Sequence, residues 1–294
     1  MTSPRAILPL MVIAMDGKPR NERLIGALAE LGYQPRLIPA VDGSELNPDA
    51  IRSRVDVAAV RAHLMRDLLP GEAGCALSHH DCYVRAWDSG SEWTVILEDD
   101  AHPSHCFDLL PSVLSQLTSR SPRVLTLRTL PSLPVRRGSI MRITVQGASR
   151  GEAVVARYFQ PPQLTLGYAI NRSALRLALG ESRLRGVADW PPWAYMCEFW
   201  GAYPWLLGEP THASTIGWRG PLEPPREGSF ASNPARFVGA RLGFMSPREV
   251  RTWSMLLGGS RNFAKYVAIP RLESISRRFL QQKLRPVDDA PDVR

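Results

Sequence analysis

Thr94-Val95-Ile96-Leu97-Glu98-Asp99-Asp100 is an apolar, β-branched run that leads directly into three acidic side chains. A short apolar run of this kind is typical of a strand buried in a sheet. In α/β folds, ligands bind in the crevice at the carboxyl ends of such strands. The stretch therefore predicts an α/β fold with a site at the point where this strand leaves the sheet.

The three adjacent carboxylates of Glu98, Asp99 and Asp100 repel one another, and a bound cation would relieve this repulsion. Oxygen ligands suit Mg²⁺ or Mn²⁺, which proteins commonly hold with one or two carboxylates together with substrate phosphates. These residues taken alone leave two interpretations open: a metal and diphosphate site, or a solvated acidic turn.

Strand and helix patterns alternate on both sides of this run. Apolar residues at helical spacing before Gly32, and an Asn171 or Ser173 that could cap a later helix, mark helix ends. The alternation predicts a mostly parallel sheet covered by helices. The predicted strands are 7–15, 35–40, 93–97, 123–127 and 164–170, and the predicted helices are 21–31, 71–87 and 174–179.

Composition places the chain among soluble globular proteins, because 44% of its 294 residues are hydrophobic and 22% are charged. A formal net charge of +8 predicts attraction to polyanions such as nucleic acid, anionic membrane or a phosphorylated substrate. The sequence contains no GxGxxG or GxxxxGK[ST] loop, which argues against dinucleotide-binding and P-loop chemistry.

The C-terminal part differs in composition from the rest of the chain. Residues 221–234 are rich in proline, glycine and serine and predict a linker, so we expect a domain over 1–220 and an extension over 221–294. Residues 271–285 form a basic amphipathic pattern. This pattern is typical of a helix on anionic lipid, and equally of a helix packed on the domain with a solvated basic face.

Four cysteines without a CxxC pair indicate reduced thiols in a cytosolic protein. Cys75, His79 and Cys82 lie on neighbouring turns of one predicted helix, but a single helix presents three ligands poorly to a tetrahedral zinc ion. The apolar stretch at 7–15 is too short to span a bilayer. We therefore expect a cytoplasmic protein that visits the inner membrane face.

Two motifs in order resemble glycosyltransferase family 25. Pro70-Gly71-Glu72-Ala73-Gly74-Cys75-Ala76-Leu77-Ser78-His79 is similar to the family's GE-x-GC-x-LSH helix, and Leu97-Glu98-Asp99-Asp100 is similar to its LEDD strand end. The likeness continues at 40–43 and 167–170. The family includes bacterial lipopolysaccharide sugar transferases and animal collagen galactosyltransferases, so the resemblance implies a GT-A type nucleotide-sugar fold, Rossmann-like, and inversion at the anomeric carbon.

The resemblance also implies roles for individual residues, each of which could instead be structural. Glu98 and Asp100 would hold Mn²⁺ or Mg²⁺, with His212 as a third ligand. Asp189 is the first candidate for the base that takes the acceptor proton, and Glu198 is the second. The residues expected to contact the donor are Ser78, His79, Asp99 and Arg20, although the arginines here are shifted from the family's usual register.

The expected function is metal-dependent transfer of a hexose, galactose from UDP-galactose, to a glycolipid or oligosaccharide acceptor in surface glycan synthesis. The aromatic segment 190–205 would contribute one or two rings to the acceptor side, with the others in the core. Two other classes stay open. One is a basic nucleic-acid-binding protein, for which no familiar motif is visible; the other is an inactive family member that acts as an interaction scaffold.

Overall fold

The computed structural model describes residues 8–15, 17–64, 68–128, 135–145, 151–158, 166–189 and 191–208. These residues form a mixed α/β fold around a single eight-stranded sheet. The strands are β1 (Leu10–Ala14), β2 (Arg36–Pro39), β3 (Trp93–Glu98), β4 (Arg123–Thr126), β5 (Val135–Val145), β6 (Gly151–Tyr158), β7 (Gly167–Asn171) and β8 (Glu198–Tyr203). The α-helices are α1 (Pro19–Glu30), α2 (Pro48–Arg54), α3 (Val57–Leu64), α4 (Pro70–Asp88), α5 (Leu110–Gln116) and α6 (Arg172–Ala178).

The strands follow the order β2-β1-β3-β7-β4-β8-β6-β5. The first three are parallel, as predicted, but β7 runs antiparallel between β3 and β4, and β5 and β6 form an antiparallel pair at the edge. The expectation of a mostly parallel sheet is therefore corrected to a mixed one. Five residues join β5 to β6, and a connection this short cannot make the crossover that parallel neighbours need.

Both faces of the sheet are covered, which explains the continuous apolar runs in its central strands. Alternate residues of β1 point to opposite sides: Val12 belongs to the same buried cluster as Leu28 of α1, whereas Met11 belongs to a second cluster with Tyr83 of α4 and Leu175 of α6. Helices on both faces thus leave the strand ends as the places where the sheet meets solvent.

Two predicted helix ends are confirmed. The chain leaves α1 through Gly32, whose φ of 81° lies in the left-handed region that favours glycine. Asn171, rather than Ser173, caps α6: its side chain accepts from the Ala174 amide at 3.0 Å and from the Arg123 amide at 2.9 Å. The Asn171 side chain therefore also fastens β7 to β4.

The predicted boundary at residue 220, the linker and the basic C-terminal pattern lie outside the described residues. Within the described part, none of the helices is long and apolar enough to cross a membrane.

Candidate active site

The three acids lie where the strand order of the sheet reverses. From β1 the chain moves to β2 on one side and later returns to β3 on the other, so the carboxyl ends of β1 and β3 flank a crevice. Glu98 ends β3, and Asp99 and Asp100 form the turn that follows. We call these three residues the acidic turn; its position agrees with the sequence prediction.

Arg20 reaches the acidic turn from the other side of this crevice. It lies in the first turn of α1, which begins shortly after β1 ends. One of its guanidinium nitrogens lies 2.8 Å from a carboxylate oxygen of Asp99, and the two side chains are 20% and 12% exposed. The structure thus brings together two of the residues predicted to contact the donor.

Asp100 is a partly buried carboxylate that two other acids crowd. Among the described residues its Oδ1 atom is buried and has no hydrogen-bond partner. Burial, followed by the negative charges of Glu98 and Asp99, raises the pKa of Asp100 to about 6. A divalent cation would give the buried oxygen a partner and offset the crowding of negative charge, so the acids fit the predicted metal.

His79 joins the acidic turn to the core through a chain of side chains. The His79 ring is buried, and its Nδ1 atom lies 2.7 Å from the Tyr168 hydroxyl, which donates to the Tyr83 hydroxyl at 2.9 Å. The other ring nitrogen, Nε2, faces a carboxylate oxygen of Glu98 at 3.3 Å. His79 is therefore positioned to orient Glu98, while its predicted contact with the donor stays a prediction.

Ser78 has two hydrogen bonds inside the protein. Its hydroxyl donates to the Gly74 carbonyl at 2.7 Å and accepts from the Val41 amide at 2.8 Å. The loop after β2 therefore lies directly against α4, so closely that a Cβ on Gly74 would stand 2.6 Å from the Gly43 nitrogen. These bonds give Ser78 a clear role in holding the loop, and its predicted donor contact stays a prediction.

Asp189 lies near the acidic turn. It lines a small cavity of about 30 Å³ together with Tyr83, Thr126 and Tyr168. Burial and the negative charges of nearby acids, Glu98 and Asp189 first among them, raise the pKa of the Cys75 thiol well above its usual value. Asp189 and the acidic turn thus act on the same thiol, and Asp189 keeps its place as the candidate base.

Glu198 lies at the opposite ends of the strands from the acidic turn, where β4 and β8 begin. It begins β8 and pairs in register with Arg123, the first residue of β4, whereas Glu98 ends β3. Along the strand direction, Glu198 and Glu98 are therefore about five residues apart, which is roughly 16 Å at 3.3 Å per residue. Its carboxylate is held by Arg123 at 2.9 Å and Arg157 at 3.0 Å. This geometry gives Glu198 a structural role and does not place it as a base for the acidic turn.

The described part of the aromatic segment contains both buried and partly exposed rings, and the predicted contact with the acceptor stays a prediction. Trp193, Phe199 and Trp200 are buried, whereas Trp205 is partly exposed beyond the carboxyl end of β8, with the Arg128 guanidinium 4.6 Å from its ring centre. Trp190 and the predicted third metal ligand, His212, lie outside the described residues.

No site role for Tyr83 or Tyr168, and no closeness of Cys75 to Glu98, is predicted from the sequence. Two signals were available. Tyr83 follows His79 by four residues, a spacing that places both on one face of a helix. Tyr168 belongs to the Gly167-Tyr168-Ala169-Ile170 motif, which was noted for its resemblance without a role for the tyrosine.

The part of the chain that carries Arg20, His79 and the acidic turn is similar to known proteins. Residues 8–130 match the family model of glycosyltransferase family 25 (LPS biosynthesis protein). Human procollagen galactosyltransferase 2 is 30% identical over 94 residues, which are 31% of this chain and 15% of that protein. Human inactive glycosyltransferase 25 family member 3 is 35% identical over 95 residues, 31% of this chain and 16% of that protein. A glycosyltransferase 25 family member of Drosophila pseudoobscura is 33% identical over 99 residues, again 31% of this chain and 15% of that protein.

The chain therefore spans about 15% to 16% of the length of these relatives. The family match nevertheless contains α1 with Arg20, α4 with His79, and the acidic turn. The matched segment therefore holds most of the candidate site, and over residues 8–130 the chain is similar to glycosyltransferase family 25.

Proposed function

We propose that the protein is a metal-dependent, inverting glycosyltransferase that transfers a hexose, galactose from UDP-galactose, to a saccharide acceptor. The observation that carries this proposal is the Oδ1 atom of Asp100, which is buried and has no hydrogen-bond partner among the described residues, within a group of three acids at the strand reversal. The match of residues 8–130 to the model of glycosyltransferase family 25 supports glycosyl transfer as the reaction.

We also propose that the fold is of the GT-A type. Its support is the parallel β2-β1-β3 unit, a Rossmann-like arrangement that carries the acidic turn at its carboxyl edge. In this proposal the nucleotide lies over the carboxyl ends of β1 and β3, and the diphosphate faces the acidic turn.

Glu98 and Asp100 would hold Mn²⁺ or Mg²⁺ in this site. A bound cation of this kind supplies neutralisation of the charge that develops on the departing nucleoside diphosphate. Asp99, fixed by Arg20 at 2.8 Å, would orient the ribose or the sugar of the donor. The acidic turn thereby divides into two cation ligands and one positioning residue.

Asp189 would act as the base. As the acceptor hydroxyl oxygen forms its bond to the anomeric carbon, the hydroxyl proton passes to the Asp189 carboxylate. The bond from the anomeric carbon to the diphosphate oxygen breaks, and its electron pair leaves with the nucleoside diphosphate. The support for this role is the place of Asp189 beside the cavity next to Tyr168, on the side of the sheet that carries His79.

For the acceptor we propose a glycolipid or oligosaccharide of surface glycan biosynthesis. Trp205, partly exposed near the same sheet edge as the acidic turn, offers an aromatic face for a sugar ring. The net charge of +8 would favour contact with anionic lipid at the inner membrane face, in a cytoplasmic protein.

A donor screen tests this proposal. The full chain is incubated with individual UDP-sugars and a saccharide acceptor, and UDP release is measured with Mn²⁺ and with chelator. We expect turnover with UDP-galactose that requires Mn²⁺ and is lost in Asp100→Ala. The control is Asp88→Ala, because Asp88 is an exposed acid at the end of α4. Full activity in chelator, or in Asp100→Ala, would overturn the metal-dependent mechanism.

A second candidate function is that of a donor-binding protein without transferase activity. The observation in its favour is the 35% identity to a human family member that is named inactive. Thermal stabilisation by UDP with Mn²⁺, combined with no hydrolysis or transfer for any UDP-sugar, would select this function over the first.

A further inference from the structure

We propose that Cys75, His79 and Glu98 form a second cation site, which shares Glu98 with the proposed Mn²⁺ or Mg²⁺ site and selects Zn²⁺. In the described part of the chain, one ligand atom from each of these three residues lies within 4.8 Å of the other two. The proposal goes beyond sugar transfer, because zinc binding at these residues does not depend on what the protein does with a nucleotide sugar.

Two structural elements bring the three ligands together. Cys75 and His79 are four residues apart on α4 and therefore share one face of that helix. Glu98 arrives from a different direction, at the carboxyl end of β3. Because the third ligand comes from the sheet, the cluster avoids the poor geometry of three ligands on a single helix.

The spacing of the two best-defined ligand atoms fits a tetrahedral ion. Nε2 of His79 lies 3.3 Å from a carboxylate oxygen of Glu98. Nitrogen and oxygen ligands of zinc lie at about 2.0 to 2.2 Å from the metal, so in a tetrahedron they stand roughly 3.3 to 3.5 Å apart. The pair therefore already has the separation that a shared zinc ion would impose.

The hydrogen bonds of His79 orient its lone pair towards this position. The tautomer that zinc binding requires donates Nδ1–H of His79 to the Tyr168 hydroxyl oxygen, which lies 2.7 Å away. Nε2 of the neutral ring then carries the lone pair that faces the Glu98 oxygen. A cation between this nitrogen and the Glu98 oxygen would pair with both, and Tyr168 would then be the outer hydrogen-bond partner that zinc-binding histidines have.

The chemistry of the three side chains selects the ion. A thiolate and an imidazole suit Zn²⁺, whereas Mg²⁺ and Mn²⁺ prefer the oxygen ligands of the acidic turn. Asp100 and Asp189 add negative charge near Cys75, which favours a divalent ion there. Three protein ligands leave a fourth position open, as in zinc sites that exchange their outer ligand.

Cys82 is not part of this site. It is fully buried and packs in the core between the sheet and α4, among residues such as Ile96 and Ala86. Glu98 therefore takes the place that the sequence pattern had offered to Cys82, and Cys82 becomes a matched control for experiments on Cys75.

Cobalt spectroscopy of the metal-free full chain tests the site directly. Co²⁺ replaces Zn²⁺ in tetrahedral sites, and a cysteine ligand produces a thiolate-to-cobalt charge-transfer band. We expect one equivalent of Co²⁺ to produce this band and one equivalent of Zn²⁺ to abolish it. Cys75→Ser should lose the band, and His79→Gln should weaken Co²⁺ binding by about tenfold or more.

The controls are Cys82→Ser and Cys197→Ser, which should retain the band. Circular dichroism identifies any variant that fails to fold; if His79→Gln does, Glu98→Gln takes its place with the same expected loss of affinity. The absence of the band in the wild-type chain, or its persistence in folded Cys75→Ser, would overturn the proposal. Mn²⁺-dependent UDP release, measured on the same preparations, reports on the proposed transferase separately, so the two proposals fail independently.

Discussion

Arg20 and Asp99 connect the first turn of α1 to the turn after β3 through an ion pair of 2.8 Å. The two side chains are only 20% and 12% exposed, so water and salt screen their attraction weakly. Because α1 follows β1, the pair links the carboxyl ends of two adjacent parallel strands. It therefore fixes the orientation of the acidic turn across the crevice in which we place the donor.

Removal of this arginine should cost both stability and function. In Arg20→Met the Asp99 carboxylate stays partly buried without its counter-ion, which should lower the free energy of unfolding by about 1 to 3 kcal/mol. We also expect slower UDP release from UDP-galactose, because Asp99 loses its fixed position. Urea denaturation and the UDP-release assay measure the two effects.

Arg23→Met is the matched control, since Arg23 lies on the same helix but is exposed. Its free energy of unfolding should stay within about 0.5 kcal/mol of the wild-type value. Equal losses in both variants would mean that general charge, rather than the pair with Asp99, is responsible.

Asp100 should make the metal-free protein less stable at neutral pH than at mildly acidic pH. Its pKa is raised from 3.8 to about 6, so the folded state binds a proton that the unfolded state does not in the window between these values. The destabilisation is complete above pH 6 and declines as the pH falls towards 3.8. Asp100→Asn should therefore stabilise the metal-free protein at pH 8 by about 1 to 2 kcal/mol, after allowance for solvent screening.

The measurement is urea denaturation in chelator at pH 8 and pH 5. The stabilisation by Asp100→Asn should be smaller at pH 5, where the wild-type carboxyl group is already largely protonated in the folded state. A stabilisation of the same size at both pH values would contradict this explanation. Mn²⁺ should reverse the order of stability at pH 8, since the ion binds the wild-type acids but not the amide.

Replacement of Asp189 and of Glu198 by the corresponding amides should have different effects, the first on sugar transfer and the second on stability. Asp189→Asn should lose sugar transfer by a factor of about 10² to 10⁴, the usual contribution of a positioned base. Glu198→Gln should retain transfer but lose stability, because Arg123 and Arg157 would lose their shared carboxylate. Turnover of UDP-galactose and the urea midpoint, measured for both variants, give the comparison. The reverse pattern would move the catalytic base to the other edge of the sheet.

The residues around the acidic turn differ in how far local sequence predicts them. Local patterns predict the strand 93–97, the helix that begins near Gly71 and the helix end at Gly32, because apolar periodicity and glycine are visible within a few residues. The placement of Arg20 beside Asp99 depends on the strand order, which no local pattern contains. The sequence alone therefore does not pair Arg20 with Asp99.

The position of Glu198 and the formation of β5 also depend on strand pairing and not on local sequence. Nothing near Glu198 shows that its strand begins at the sheet edge away from Glu98; this follows from the parallel pairing of β8 with β4. The segment that forms β5 contains Arg136, Arg137 and Gly138, which interrupt the alternation of apolar and polar residues that marks a strand. Pairing with β6 along an edge overrides this weak local preference.

The two tyrosines behind His79 should stabilise the protein as a unit. Tyr168→Phe removes the partner of His79 Nδ1 and of the Tyr83 hydroxyl, and should lower the free energy of unfolding by about 1 to 3 kcal/mol. Tyr83→Phe should cost less, because Tyr168 retains His79. In the double variant the two losses should not add, since Tyr168→Phe already leaves the Tyr83 hydroxyl without Tyr168. Additive losses, measured by urea denaturation, would show that the hydroxyls act separately.

Gly167 is required by close packing at the start of β7, directly opposite Leu97. A Cβ at this position would lie 2.5 Å from Cδ1 of Leu207 and 2.6 Å from Cδ2 of Leu97, both of which are fully buried. Gly167→Ala should therefore displace the end of β3 and lower the free energy of unfolding by about 1 to 3 kcal/mol.

Gly26→Ala is the control: Gly26 is exposed inside α1 with nothing near its Cβ position, so alanine should stabilise the protein by about 0.5 to 1 kcal/mol. Because Leu97 directly precedes Glu98, Gly167→Ala should also weaken Mn²⁺-dependent UDP binding in calorimetric titration, whereas Gly26→Ala should not. Unchanged stability in Gly167→Ala would mean that the leucines move aside without cost and that the end of β3 is less rigid than its packing indicates.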